Sequence, residues 1–334
     1  MQTMKEIFEE IEASGGLTPS RRLKDIANRF PEQVAFRDKR YGIWNEITYG
    51  EFWTQVQYIG CALNYFGIEK TDKVAIHSEN RPEWLIADIG VQAIGGISVG
   101  LYPTNPPAEV QYLLSHSESK ILFAEDQEQV DKALEVLDDV PNLSKIIYFE
   151  EKGLFRYDSE KLMRWDEFLE IGKQEYENNK DFVNFRLDEI KSEDVALMIY
   201  TSGTTGPPKA SMLSHGNMEW TASIIPDLSF TPNISNPEYL SYLPLCHVFG
   251  RLVDEIIAIN SIGTINFAES IDTVQRDLAE IQPSIFPAVP RILERMHAGT
   301  LVRMKDASRL KKLLFRIATY FGDITAKRLS LIHI

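Results

Sequence analysis

Cysteine is nearly absent from this chain: Cys61 and Cys246 are the two in 334 residues, far apart and each among apolar neighbours. That excludes a disulfide framework or a paired-thiol zinc site, and fits a reducing, cytoplasmic compartment. Positive charge is also short, with 35 Lys plus Arg against 49 Asp plus Glu and a net charge of -14. A nucleic-acid binder usually shows the opposite balance or a dense basic stripe, so no nucleic-acid partner is expected. Long apolar runs are missing too. The longest, IADIGVQAIGGISVGLY at 86–102, is interrupted by Asp88, Gln92 and four glycines, too often to span a bilayer. The opening MQTMKEIFEEIEASGG places acids where an export or mitochondrial signal carries bases and an apolar block. Without repeats or low-complexity tracts, what remains is a globular chain, 44% hydrophobic, long enough for one large or two ordinary domains.

Thr18 as N-cap and Pro19 at the first helical position predict a helix over 17–30, with Leu23, Ile26, Ala27 and Phe30 at helical spacing. Thr48 and Glu51 are spaced as a capping box for a second helix, running through Phe52, Val56, Ile59 and Leu63 and stopping at Gly67. Short apolar runs at 73–78, 96–102, 120–124 and 145–149 then alternate with helical segments at 82–93, 107–117 and 127–137. This alternation predicts an α/β fold of mostly parallel sheets covered by helices, with ligands bound beyond the carboxyl ends of strands. Residues 150–192, charged and without clear period, read as surface structure or a connector before a strand at 195–200. Further strands are expected at 210–214, 239–250 and 262–268, with Asn217 capping a helix through Trp220 and Ile224. An extended piece broken by Pro287 leads into helices that are locally basic, with ten Lys plus Arg against three Asp plus Glu over 291–328.

The stretch MIYTSGTTGPPKASMLSHGN at 198–217 carries the chemistry. Thr201, Ser202, Gly203, Thr204, Thr205 and Gly206 supply backbone amides and neutral hydroxyls without acids, and Lys209 adds one mobile charge just after a diproline. Together they suit a phosphate cradle following a strand. Gly203 is followed by Gly206, Pro207, Pro208 and Lys209, so the stretch is not a Walker motif. Ser, Thr, Gly and Pro are also the commonest residues of ordinary loops; the length and freedom from acids favour the cradle.

YTSGTTGPPK at 200–209 resembles the signature phosphate-binding loop of the AMP-forming adenylating superfamily, which includes acyl-CoA synthetases, luciferases and peptide-synthetase adenylation domains. LPLCHVFG at 243–250 resembles that family's next motif, and GLYPTNPP at 100–107 with QPSIFPAVPRILERM at 282–296 resemble its long-chain fatty acyl-CoA synthetase branch. The resemblance implies the layered, large N-terminal domain of adenylate-forming enzymes, covering 17–328 in partial form after an N-terminal segment at 1–16. It implies activation of a fatty acid by Mg2+-ATP to acyl-AMP and then, with CoA, to the thioester. Thr201 to Gly206 and Lys209 would hold the phosphates, Thr201 would also touch the metal, and Lys209 and His247 are the catalytic candidates. His247 is carried over as a substrate-site residue beside the carboxylate and adenylate, not as a general base. Arg251 and Arg291 match positions typical of the branch but suit structural ion pairing, and His77, His116, His215 and His297 are left as structural. Ala210, where much of the family has Gly, should keep negative φ.

Rival readings are a fatty acyl-AMP ligase or other adenylating enzyme, and a non-catalytic nucleotide-binding fragment. Membrane contact through LKKLLFRIATYF at 310–321 would be peripheral at most, a core-facing stripe being the plainer reading. The family's later metal, ribose and hinge motifs and its small C-terminal domain do not appear, and LSLIHI at 329–334 reads as a non-native tail. The 334-residue chain alone is therefore expected to show no adenylating activity, and robust turnover by the purified chain would overturn this.

Overall fold

A computed structural model describes residues 18–201, 206–224 and 236–332, of the last five the backbone alone. The fold separates into two compact units, Met1–Ile285 and Phe286–Ile334.

The first unit holds two sheets. α1 (Pro19–Arg29) begins as expected, the Thr18 side chain accepting from the Arg21 amide. A hairpin of β1 (Val34–Arg40) and β2 (Ile43–Thr48) follows and leads into α2 (Tyr49–Tyr65). The capping box is complete: Glu51 N donates to Thr48 Oγ1 at 3.2 Å, and Thr48 N donates to Glu51 Oε2 at 2.8 Å. β3 (Lys73–His77), α3 (Pro82–Ala93), β4 (Ile97–Leu101), α4 (Pro107–Ser117), β5 (Ile121–Ala124), α5 (Gln127–Glu135) and β6 (Lys145–Tyr148) realise the predicted alternation. The segment 86–102 is thus a buried helix and a central strand.

The connector expected over 150–192 contains β7 (Leu162–Arg164), α6 (Trp165–Asn178) and α7 (Phe182–Asp188). Its helical stripe is Phe168, Gly172 and Tyr176, hidden from a hydropathy reading because a glycine occupies the tightest point. A Cβ on Gly172 would lie 2.0 Å from Tyr58 O of α2, so the two helices approach as closely as backbones allow.

β8 (Val195–Thr201) and β9 (Lys209–Ser214) complete a seven-stranded sheet ordered β7-β6-β5-β3-β4-β8-β9, parallel except for its last pair. α8 (His215–Ile224) follows. Its start corrects the sequence expectation: Ser214 Oγ accepts from Asn217 N, and Asn217 Oδ1 accepts from Ser214 N, so Ser214 is the cap and Asn217 the residue that reaches back. Beyond it, β10 (Glu238–Ser241), shorter than the run at 239–250, and β11 (Thr264–Phe267) join β1 and β2 in a second sheet ordered β10-β11-β1-β2. Between them α9 (Val248–Arg251) runs directly into a π-helical stretch, Leu252–Ala258. α10 (Val274–Ile281) closes the unit.

α3 touches β3 and β4 of one sheet and β1 of the other, and all its residues but Glu83 are buried. A helix buried on every side, mostly apolar but carrying Asp88 and Gln92, fills the space between the two layers. On the opposite face of the larger sheet, Val110, Leu113 and Leu114 of α4 and Val130 and Ala133 of α5 pack over Ala75, Val99 and Leu122.

The second unit contains α11 (Pro290–Lys305) and α12 (Arg309–Ile332). The stripe expected to face a core is exposed at Leu310, Leu313, Leu314, Ile317 and Phe321, since no described residue covers it. Among the described residues no helix is long and apolar enough to cross a membrane.

Gly172→Ala should destabilise the chain by about 1–3 kcal/mol, because the new methyl forces α2 and α6 apart, and urea denaturation measures it. An unchanged midpoint would mean that the two helices do not meet so tightly.

Candidate active site

The glycine- and hydroxyl-rich stretch joins two antiparallel strands. Thr201 at the end of β8 pairs with Lys209 at the start of β9, so both stand at the loop end of one hairpin, exposed. Ser202, Gly203, Thr204 and Thr205 lie outside the described residues; Gly206 is exposed with φ 88°. Ala210 continues the strand opposite Tyr200, free of the positive φ a glycine would permit.

α4 buttresses this hairpin. Tyr112 Oη donates to Pro208 O at 3.0 Å, and His116 Nδ1 shares a 2.8 Å hydrogen bond with Tyr200 Oη. The Tyr112 and His116 rings lie 5.4 Å apart, so one helix face grips both limbs, one residue before Thr201 and one before Lys209. Burial pushes the Tyr200 phenol up to about 12, so it keeps its proton. The sequence reading takes His116 as structural and does not single out Tyr112 or Tyr200; the i, i+4 spacing of Tyr112 and His116 is the available signal.

His247 sits on a second turn. Its Nδ1 accepts from Phe249 N at 3.1 Å, which makes it the N-cap of α9 and leaves the proton of the neutral ring on Nε2. The ring is exposed while Leu245 and Cys246 beside it are buried. Burial pushes the Cys246 thiol up to about 12, so it is not a nucleophile near neutral pH.

Both turns lie at the carboxyl end of the seven-stranded sheet, each beside β4. Gly100 of β4 pairs with Ile199 of β8, two residues before Thr201. A Cβ on Gly100 would lie 2.8 Å from Cys246 Cα, so the His247 turn rests directly on that strand. Hydroxyl, cation and imidazole therefore come from separate segments to the edge where doubly wound sheets bind ligands. Among the described residues no cluster of His, Cys, Asp or Glu could hold a metal unaided.

A family model described as "AMP-binding enzyme" matches residues 23–329. The chain belongs to this family. Among its relatives, Long-chain-fatty-acid--CoA ligase ACSBG2 of Xenopus laevis is 31% identical over 82% of the chain and 37% of its own length. Long chain acyl-CoA synthetase 3 of Arabidopsis thaliana is 30% identical over 83% of the chain and 41% of its own. The chain spans less than half the length of these relatives. In fold it is similar to coronafacic acid ligase from Pectobacterium brasiliense, with TM-score 0.70 and 17% identity over 87% of this chain and 53% of that one. It is also similar to the anthranilate CoA ligase AuaEII in complex with anthranoyl-AMP, with TM-score 0.64 and 18% identity over 80% and 49%.

Beneath the His247 turn the chain buries a charged cluster. Arg251 Nη1 donates to both Asp88 oxygens at 2.8 Å and lies 3.3 Å from Glu255, while its guanidinium covers the Trp84 ring. The structural ion pairing expected of Arg251 is thus present. Arg291 is exposed and makes no ion pair among the described residues. Burial, reinforced by Asp88, holds Glu255 protonated above the usual carboxylate range. Burial also lowers His77 and His215 to about 4, so both stay neutral, as structural histidines would.

Asp254 is pushed up to about 7 by burial, against an ordinary value of 3.8. The folded chain then holds this proton more tightly than the unfolded one, so its stabilising contribution is full below about 3.8 and is lost as pH rises through about 7. Urea midpoints of wild type should fall more steeply over that window than those of Asp254→Asn, and parallel slopes would refute the assignment.

Proposed function

We propose that this chain is the nucleotide- and acid-binding part of an enzyme that activates long-chain fatty acids to their CoA thioesters through an acyl adenylate. The carrying observation is that Gly100 of β4 adjoins both segments, pairing with Ile199 just ahead of Thr201 and packing against Cys246 beside His247. The long-chain substrate class rests on the relatives named above, which are CoA ligases and synthetases of long-chain acids.

In the first step a carboxylate oxygen attacks the α-phosphorus of ATP; an oxygen–phosphorus bond forms as the bond to the β-phosphate oxygen breaks and pyrophosphate leaves. Anion attacking anion needs charge screening and in-line placement, more than a nucleophile from the protein. The exposed Lys209 ammonium suits the charge growing on the leaving pyrophosphate, and the sequence of the loop over 202–206 carries the amides and hydroxyls that would serve its oxygens. Thr201 offers one neutral oxygen, which fits a Mg2+ that arrives with the triphosphate and keeps most of its own water; bound there, the ion would screen the phosphate charge. His247, with Nδ1 engaged by the Phe249 amide, presents Nε2–H as a donor to a carboxylate or phosphoryl oxygen. In the second step the CoA sulfur bonds to the acyl carbon, AMP departs, and the thiol proton is released.

The test is ATP–pyrophosphate exchange by the complete parent enzyme with acids of graded length. Exchange should require a fatty acid, and Lys209→Ala should lower it by about 10²–10³-fold. Exchange with amino acids but with no fatty acid refutes the substrate class; acyl-AMP release without thioester formation in the presence of CoA refutes the second step.

A further inference from the structure

The His247 turn is tied down by a side chain more than 160 residues earlier. Asn80 lies in HSENRPEW at 77–84, between β3 and α3, and is half-buried. Its Nδ2 donates to Leu243 O at 2.7 Å and to Ser241 Oγ at 2.9 Å, and its Oδ1 accepts from Leu245 N at 3.0 Å. Opposite partners on the two ends of the carboxamide fix its orientation, and a donor and an acceptor two residues apart on the turn are both satisfied by one group. Ser241 Oγ passes the connection on, donating to Asp254 Oδ2 at 2.5 Å in the π-helical stretch that follows the turn. Asn80 thus holds the entering limb, while the exit is held by Arg251 N donating to His247 O at 3.2 Å.

We propose that Asn80 is a positioning residue for His247: by fixing the backbone at Leu243 and Leu245 it keeps the Phe249 amide on Nδ1, so that Nε2–H faces outward to the acid substrate or its adenylate. Without the carboxamide, the Leu243 carbonyl and Leu245 amide lose their partners, and the turn relaxes toward water. What His247 then acts upon rests on the function proposed above; the positioning itself does not.

The test uses the 334-residue chain labelled with 15N-histidine, with His247 ring signals assigned by their loss in His247→Gln. Wild type should show the Nε2–H tautomer, and Asn80→Ala an averaged pattern of both tautomers with His215 unmoved. Asn80→Asp keeps the acceptor for the Leu245 amide, removes both donors, and should shift the pattern the same way should the alanine variant fail to fold. Arg21→Leu, which removes a comparable clamp on the Leu187 and Ile190 carbonyls, should leave His247 as in wild type. In the parent enzyme, Asn80→Ala should raise KM for the acid about tenfold or more with KM for ATP unchanged. An unmoved His247 pattern in the folded Asn80 variants, an equal shift in Arg21→Leu, or equal rises in both KM values would overturn the proposal. Because the tautomer is read without turnover, absence of exchange in wild type counts against the function alone.

Discussion

A guanidinium sealed from water joins the two sheets of this protein. Arg251 follows β10 of the smaller sheet, its Nη1 grips Asp88 on the helix between the layers, and its Nη2 donates to Ser98 on β4 of the larger sheet at 3.4 Å. Sealing such charges from water costs several kcal/mol per ion, so the cluster adds little over an apolar filling; removing one partner, however, strands a charge at about 3–5 kcal/mol. Protonation of Glu255 leaves one carboxylate for one cation, which lessens that cost. The consequence is registry: β10, α3 and β4 can pack in one relative position, and the turn that carries His247 starts from it.

From that registry the site follows by short steps. The π-helical stretch after Arg251 widens the helix and turns both Asp254 and Glu255 inward, Asp254 toward Ser241 and Glu255 toward Gln92. The turn ahead of it lies on Gly100, where a side chain would collide with Cys246, and Gly100 is paired with the strand that leads into the glycine- and hydroxyl-rich loop. Two segments with separate anchors, α4 for the hairpin and Asn80 for the turn, therefore share one strand as their reference. Such an arrangement suits a reaction that needs placement more than acid–base chemistry.

Local signals were read well where one residue decides the outcome within its own turn. Thr18 and the Thr48–Glu51 box start their helices as written, and the alternating apolar runs became β3 to β6 with their crossovers. Signals failed where the deciding contact is distant. α6 was missed because its stripe centres on Gly172, whose fitness depends on Tyr58 of another helix. Asn217 and Ser214 exchange hydrogen bonds reciprocally, so residue type alone does not say which of them is the cap. The hairpin of β1 and β2, with Tyr41 and Gly42 at positive φ in its turn, belongs to a second sheet whose other strands lie 200 residues on.

By itself the sequence determined the α/β class, the strand that ends in a loop of glycines and hydroxyls, the identity of Lys209 and His247 as groups worth weighing, and the family they resemble, because motifs and caps act through neighbours in the chain. Tertiary structure alone decided that Thr201 and Lys209 face each other, that Tyr112 and His116 brace them, and that Asn80 reaches Leu243 and Leu245. It also decided that Asp254 and Glu255 keep protons near neutral pH. Hydrogen bonds across 80 to 160 residues and the loss of water around a charge depend on which surfaces come together, and no spacing along the chain encodes that.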